Sequence, residues 1–385
     1  MEKKILFIST NEWVPFGGSE DLWAKSALYL SKEKRVELSY SIKSLSSLPA
    51  SVKELYENGV KGQFRSLLHT KNPIASSLNR ILPSRFQHEF ELQTISYIKS
   101  FKPSLVVLIL GNHKCEFAFN IANYLNKEKI NYCINLQLVN PFEFFNDGDT
   151  NIGLDFYKKS LCNFFVSYQN KEILETQLST TLINSVIVSN PFSFESNNII
   201  PIEIPDNAFI YMANVSRIDP FQKGHDLLLE VLGQKKWKNR HLFLNLYGNS
   251  TLTVYINSLI KKLGIINVKY HGFNSNKEAI WSRNHFSINP SRMEGLSLSL
   301  LEAMSFGRAA ISTNVGDASR FVLDGVNGFI AKEASVSSID LALEKIWEVR
   351  DDLEFMGQRS RSILKQEIKE DPVIDFSNQL INLLN

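Results

Sequence analysis

Short runs of β-branched and aromatic residues alternate with longer stretches of helical apolar spacing, and this rhythm is played twice along the chain. The first series of strand-length runs is "ILFIS" (5–9), "VELSYS" (36–41), "LVVLIL" (105–110), "YCINL" (132–136), "FFVS" (164–167) and "SVIVS" (185–189). The second is "FIYMANV" (209–215), "HLFLNLYG" (241–248), "NVKYHG" (267–272), "HFSINPS" (285–291), "AAISTN" (309–314) and "GFIA" (328–331). Continuous apolar strands separated by helices mean parallel sheets covered on both faces. The pattern predicts an α/β chain of two Rossmann-like, doubly wound domains. The rhythm breaks in the polar, proline-containing stretch 189–207, so we place the domains at 1–195 and 196–365. Open parallel sheets bind ligands beyond the carboxyl ends of their strands, so two such domains predict a cleft between them.

Composition narrows the function. The 385 residues exceed what one hydrophobic core usually serves. A net charge of +2 gives no global reason to expect nucleic acid. Cys115, Cys133 and Cys162 show no CxxC spacing, which disfavours a disulfide framework or zinc site and favours a reducing compartment. "LVVLIL" is too short to span a bilayer, and "MEKKILFIS" is too short in its apolar part for a signal peptide. These features predict a cytoplasmic protein.

Candidate chemistry gathers where strands end in the second domain. In "NPSRMEGLSLSLLEAMSFG" the loop after a strand holds Glu294, and the following helix, stopped by Gly307, holds Glu302. A glutamate near a helix start complements the macrodipole, which accounts for one carboxylate. Glu302 stands among Leu300, Leu301 and Ala303, where an unpaired carboxylate is costly. Vicinal hydroxyls of a sugar or ribose are suitable partners for both. "VSRIDPFQKGHDLLL" puts Arg217 and Lys223 in one loop and helix start, the arrangement of an anion site suited to a diphosphate. Two solvated basic residues are the alternative.

The ordered set "SRIDPFQKGHDLLL", "YGN", "HG", "NPSRMEGLSLSLLEAMSFGRAAISTNVGDASRFVLDGVNGF" resembles the C-terminal half of retaining glycosyltransferases of family 4. Glu294 and Glu302 meet its E-x7-E element; "GGSE" (17–20) and "NPF" (190–192) carry a weaker likeness in the first half. The resemblance implies a GT-B fold, with residues 366–385 forming a helix that packs back on the first domain. It implies that Arg217 and Lys223 hold the diphosphate of a UDP- or GDP-linked sugar, Glu294 the transferred sugar and Glu302 the ribose. Gly295, Leu296 and Ser297 would complete the donor loop, and Gly17 and Gly18 would let the first domain approach the donor closely. Arg217, Lys223 and Glu294 would be the catalytic set, with no cofactor and no metal. Departures from the family pattern are Gln137, where a histidine is usual, Ala309 for a proline, and Asp317 and Arg320 in "VGDASR".

The remaining features have two readings each. "DGD" (147–149) imitates a metal-binding motif but reads better as a polar turn. His113 ends a strand and, with Gln137, is a candidate acceptor-side residue; a loop or core histidine is the alternative. Between Glu57 and Glu89, Lys61, Arg65, Lys71, Arg80 and Arg85 stand among apolar residues. That pattern fits peripheral contact with the anionic inner face of a membrane, or ordinary helices with solvated basic faces. The expected function is transfer of a hexose-type sugar to a glycan or lipid-linked acceptor in surface polysaccharide or lipopolysaccharide biosynthesis. A non-catalytic GT-B subunit that binds nucleotide or glycan is the alternative.

Overall fold

The computed structural model describes residues 3–11, 17–33, 36–45, 47–66, 83–192 and 209–384, the side chains of Ser19 and of residues 83–87 excepted. The chain divides into two compact units, Met1–Pro191 with Glu370–Asn385, and Phe192–Lys369. Each is built on its own parallel sheet.

The first sheet contains β1 (Lys4–Ser9), β2 (Glu37–Lys43), β3 (Gly62–Arg65), β4 (Leu105–Leu110), β5 (Asn131–Leu136), β6 (Asn163–Phe165) and β7 (Ser185–Ile187). Their order is β3-β2-β1-β4-β5-β6-β7, with every pairing parallel. Alternation along the strands splits the core into two layers. Ile5 and Phe7 of β1, with Leu105, Val107 and Ile109 of β4, pack on one face. Leu6 and Ile8, with Val106, Leu108 and Leu110, pack on the other. Both faces are therefore dry, which is why all six residues of β4 are apolar and buried. Helix Pro372–Leu384 belongs to the first layer: Phe376 meets Phe164 edge-on at 5.0 Å and, like Leu380, is fully buried.

The second sheet contains β8 (Ile210–Val215), β9 (Leu242–Tyr247), β10 (Val268–Gly272), β11 (Phe286–Asn289), β12 (Ala309–Thr313) and β13 (Gly328–Ala331). Its order is β10-β9-β8-β11-β12-β13, again parallel throughout. Renumbered from its own first strand this is 3-2-1-4-5-6, the doubly wound order of dinucleotide-binding sheets. The chain reverses direction across the sheet between β8 and β11, so the loops after these two strands stand side by side at the topological switch point, where sheets of this order bind their ligands.

β3 has no counterpart among the runs read from the sequence. It is a four-residue edge strand, "GQFR", with no β-branched residue. The basic segment fares differently from its expectation as well. Arg65 ends β3 and is 1% exposed; it donates to Ser41 Oγ at 2.9 Å and lies over the Phe117 ring at 5.2 Å. It therefore cannot contribute to a membrane-facing surface. Lys61 is exposed, while Lys71, Arg80 and the Arg85 side chain lie outside the described residues. Among the described residues no helix is long and apolar enough to cross a membrane.

Candidate active site

The loop after β8 carries Ser216, Arg217 and Asp219 into a one-turn helix, Pro220–Lys223, which Asp219 caps by accepting from the Gln222 amide at 3.2 Å. Gly224 ends that turn at φ +66, and a Cβ there would stand 2.0 Å from the Pro290 carbonyl oxygen. Only glycine lets this loop press against the loop that follows β11. Arg292 completes the join: its amide donates to the Gln222 carbonyl at 2.8 Å, and its guanidinium grips both Asp226 oxygens at 2.8 and 2.7 Å. A bidentate pair of this kind fixes orientation as well as distance. The two loops at the switch point thus form one rigid body.

On that body Lys223 Nζ stands 2.7 and 2.8 Å from the two Glu294 oxygens, and Ser291 Oγ donates to Oε1 at 2.7 Å. Glu294 is 9% exposed, and a carboxylate so little hydrated needs donors of this kind. Behind it Gly316 runs at φ +58, with its hypothetical Cβ 2.8 Å from Glu294 Cβ and 2.6 Å from the Gly295 carbonyl oxygen. Nothing larger than glycine fits there without displacing Glu294. Arg217 is nearly half exposed and rests its Nη2 on Asp219 (3.1 Å) and Gln222 (3.0 Å). Gly295, Leu296 and Ser297 lead into helix Leu298–Ser305, whose N-cap Ser297 makes no side-chain capping bond. An uncapped N-terminus of this length offers amides and dipole to an anion.

Lys223 and Glu294 therefore meet at the switch point, with Arg217 and Ser297 in the same two loops. Glu302 sits one turn and more along the same helix and is not the unpaired carboxylate that its apolar neighbours suggest: Lys277, on helix Lys277–Trp281, pairs with its Oε1. That partner is distant in sequence, and no local pattern announces it. Arg320, a departure from the family pattern, pairs with Glu367 at 2.7 Å and lies 3.7 Å from Asp317, so its charge is taken up within the second unit. The positioning set Asp226, Ser291, Arg292 and Gly316 went unread in the sequence; the glycine that follows Lys223 was its one available signal.

In the first unit Gly17 and Gly18 open helix Gly18–Glu33. Next to them Glu20, 2% exposed, accepts from Ser9 Oγ at 3.0 Å, from Trp23 Nε1 at 2.6 Å and from Asn11 Nδ2, while burial pushes its carboxyl above the ordinary value. Gln137 lies in a buried amide chain, donating to Asn135 Oδ1 and accepting from Asn190 Nδ2, each at 2.7 Å. His113 is fully buried. Its Nε2 donates to the Glu143 carbonyl at 2.9 Å, its Nδ1 accepts from the Asn140 amide at 3.3 Å, and burial lowers its pKa. The geometry makes it a loop clamp with both nitrogens engaged, in place of the acceptor contact read from its position. "DGD" is the first turn of helix Asp147–Lys159, where Asn146 caps the Asp149 amide at 2.9 Å.

Two histidines of the second unit give a pH prediction. Burial holds the pKa of His225, fully inaccessible and 3.2 Å from Ser216 Oγ, down to about 4. Burial, with a smaller push from Arg308, does the same to His285, whose Nδ1 accepts from the Tyr211 amide at 2.9 Å. The unfolded chain takes up these protons near pH ~6.5, before the folded one does. Their stabilisation is therefore whole above that pH and is lost as the pH falls toward about 4, on the order of 3 kcal/mol per group. The urea midpoint should drop between pH 7 and pH 5, and His225→Gln should flatten that slope. A midpoint that does not move with pH would refute it.

The model of the family Glycosyl transferases group 1 matches residues 197–363. An uncharacterized glycosyltransferase of Methanocaldococcus jannaschii is 26% identical over 150 residues, which is 38% of this chain and 40% of that protein. The matched stretch thus spans well under half of that relative. HepE of Anabaena, solved with UDP and glucose, superposes with a TM-score of 0.71 at 15% identity, covering 100% of this chain and 99% of that one. The apo form of the lipopolysaccharide outer core galactosyltransferase WaaB superposes with a TM-score of 0.71 at 17% identity, covering 98% and 99%. At these identities the likeness speaks for the fold. Over residues 197–363 the second unit is thus similar to the glycosyl transferases group 1 family, within a chain of the GT-B fold.

Proposed function

We propose that the chain is a retaining, metal-independent glycosyltransferase. It takes a hexose-type sugar from a nucleotide diphosphate, UDP first among the candidates, and passes it to a glycan or lipid-linked acceptor in surface polysaccharide or lipopolysaccharide assembly. The observation that carries this reading is the fork of Lys223 on both Glu294 oxygens, beside Arg217 and an uncapped helix N-terminus at the switch point. HepE, solved with UDP and glucose, and WaaB, a lipopolysaccharide galactosyltransferase, support the choice of base and of pathway class.

The fork also suggests how binding and chemistry are joined. A diphosphate entering beside Arg217 competes for Lys223, and Glu294 then has lone pairs to accept from sugar hydroxyls while Ser291 holds it in place. Sugar and diphosphate are thereby read as one unit. As the glycosidic bond breaks, charge builds on the leaving diphosphate. Lys223, Arg217 and the amides of Ser297 and Leu298 would stabilise it, usually the largest single contribution a protein makes to such a step. Glu302 would accept from ribose hydroxyls with the oxygen that Lys277 leaves open. Calorimetry should show UDP binding unaffected by EDTA, and the purified chain should slowly hydrolyse UDP-glucose or UDP-galactose. Binding of no nucleotide diphosphate would end this reading.

A further inference from the structure

The loop between β5 and helix Asp147–Lys159 carries two phenylalanines, Phe142 and Phe144, that are 65% and 63% exposed. Such side chains on a floppy loop would mean little, but this loop is pinned from several sides. Gln177 Nε2 donates to the Asn140 carbonyl at 3.0 Å, His113 bonds the Glu143 carbonyl, and Lys114 Nζ donates to the Phe144 carbonyl at 3.0 Å. Asn112 Nδ2 holds Glu143 Oε2 at 3.0 Å, and Phe145 is buried edge-on against His113 at 5.5 Å. One buried histidine and three partly buried polar side chains are thus committed to keeping two aromatic rings in water, at the carboxyl end of a doubly wound sheet where ligands bind.

Resting on the glycosyltransferase reading, we propose that Phe142 and Phe144 form the platform for an uncharged pyranose unit of the acceptor glycan. The apolar C–H face of the sugar ring lies on the aromatic faces, and its hydroxyls meet the partly exposed Glu143 and Asn112 at the edge. Charge decides against a lipid surface. Glu143 stands between the two phenylalanines and Asp147 and Asp149 follow within five residues of Phe144 along the chain, with Lys114 the basic residue among the loop's hydrogen-bond partners. An anionic membrane would be repelled there. Because the loop is held before binding, little ordering entropy is lost when the sugar docks.

Saturation-transfer NMR with maltotriose, cellotriose and methyl α-galactopyranoside tests the platform on the full chain. The expected result is transfer to at least one of these sugars, weakened roughly tenfold in the Phe142→Ala/Phe144→Ala variant and retained in Phe142→Trp. UDP affinity by calorimetry and the thermal midpoint should be unchanged, since both rings are exposed. Transfer to none of the three sugars, or equal transfer to the double variant, would overturn the proposal. So would binding to phosphatidylcholine/phosphatidylglycerol vesicles that is lost in the variant. Sugar transfer in a chain that binds no UDP would leave the platform standing and remove the donor site instead.

Discussion

Glu294→Gln is expected to cut turnover of a UDP-sugar by about a hundredfold while leaving the affinity for free UDP intact or higher. Removing the charge takes away acceptor strength toward the sugar hydroxyls, and charged hydrogen bonds are worth about 1.5 to 3 kcal/mol. It also releases Lys223, which Glu294 holds at 2.7 and 2.8 Å, so the diphosphate no longer competes for that ammonium. Lys223→Met should behave in the opposite way. It would weaken UDP and the full donor alike, because the phosphate loses a cation and Glu294 is left buried with only its remaining donors. Glu302→Gln should weaken both ligands modestly, since Lys277 already holds one of its oxygens. Calorimetry with UDP and a UDP-sugar, together with turnover, separates the three variants. A Glu294→Gln chain that loses UDP as heavily as Lys223→Met would show that the fork is a structural pair with no division of labour.

Gly224→Ala should cost about 3 kcal/mol or more of stability and most of the UDP affinity. Alanine at φ +66 pays about 1 to 2 kcal/mol for its backbone conformation alone. Its Cβ would in addition meet the Pro290 carbonyl oxygen at 2.0 Å, a backbone atom that cannot turn aside. Relief requires parting the loops after β8 and β11, which moves Lys223 off Glu294. Gly325 supplies the control: it has φ +74 with no atom within 4 Å of a Cβ, so Gly325→Ala should show the conformational cost without the clash. Equal urea midpoints for the two variants would contradict the close-approach argument.

The sheets were legible because a strand buried on both faces must be apolar at every position, as β4 is, and such runs stand out in any window. β3 was invisible for the converse reason: a short edge strand needs few apolar residues, and "GQFR" has one. The candidate site divided in the same way. Arg217, Lys223 and Glu294 could be named because each follows a recognisable strand at its carboxyl end. The partners that give them their electrostatics could not, since Lys223 and Glu294 are 71 positions apart and Lys277 and Glu302 are 25 apart. Spacing rules act within an element, and these pairs are made by the sheet order. Of the two readings of His113 the loop histidine holds: the sequence placed it at a strand end but held no sign that the Asn140 amide and the Glu143 carbonyl would fix its ring.

Helix Pro372–Leu384 sets an order of events at the ribosome. Phe376 and Leu380 fill the same layer as Ile5, Phe7 and Leu105, and Ser26 Oγ donates to the Val373 carbonyl at 3.3 Å. The amino-terminal unit is translated first, yet it lacks this plug until all of Phe192–Lys369 has been made. The second unit, one unbroken stretch of chain, has every residue of its core in hand earlier. Nascent first-unit sheet must wait with an open apolar flank while its neighbour closes, and that interval is when a holdase chaperone would find it.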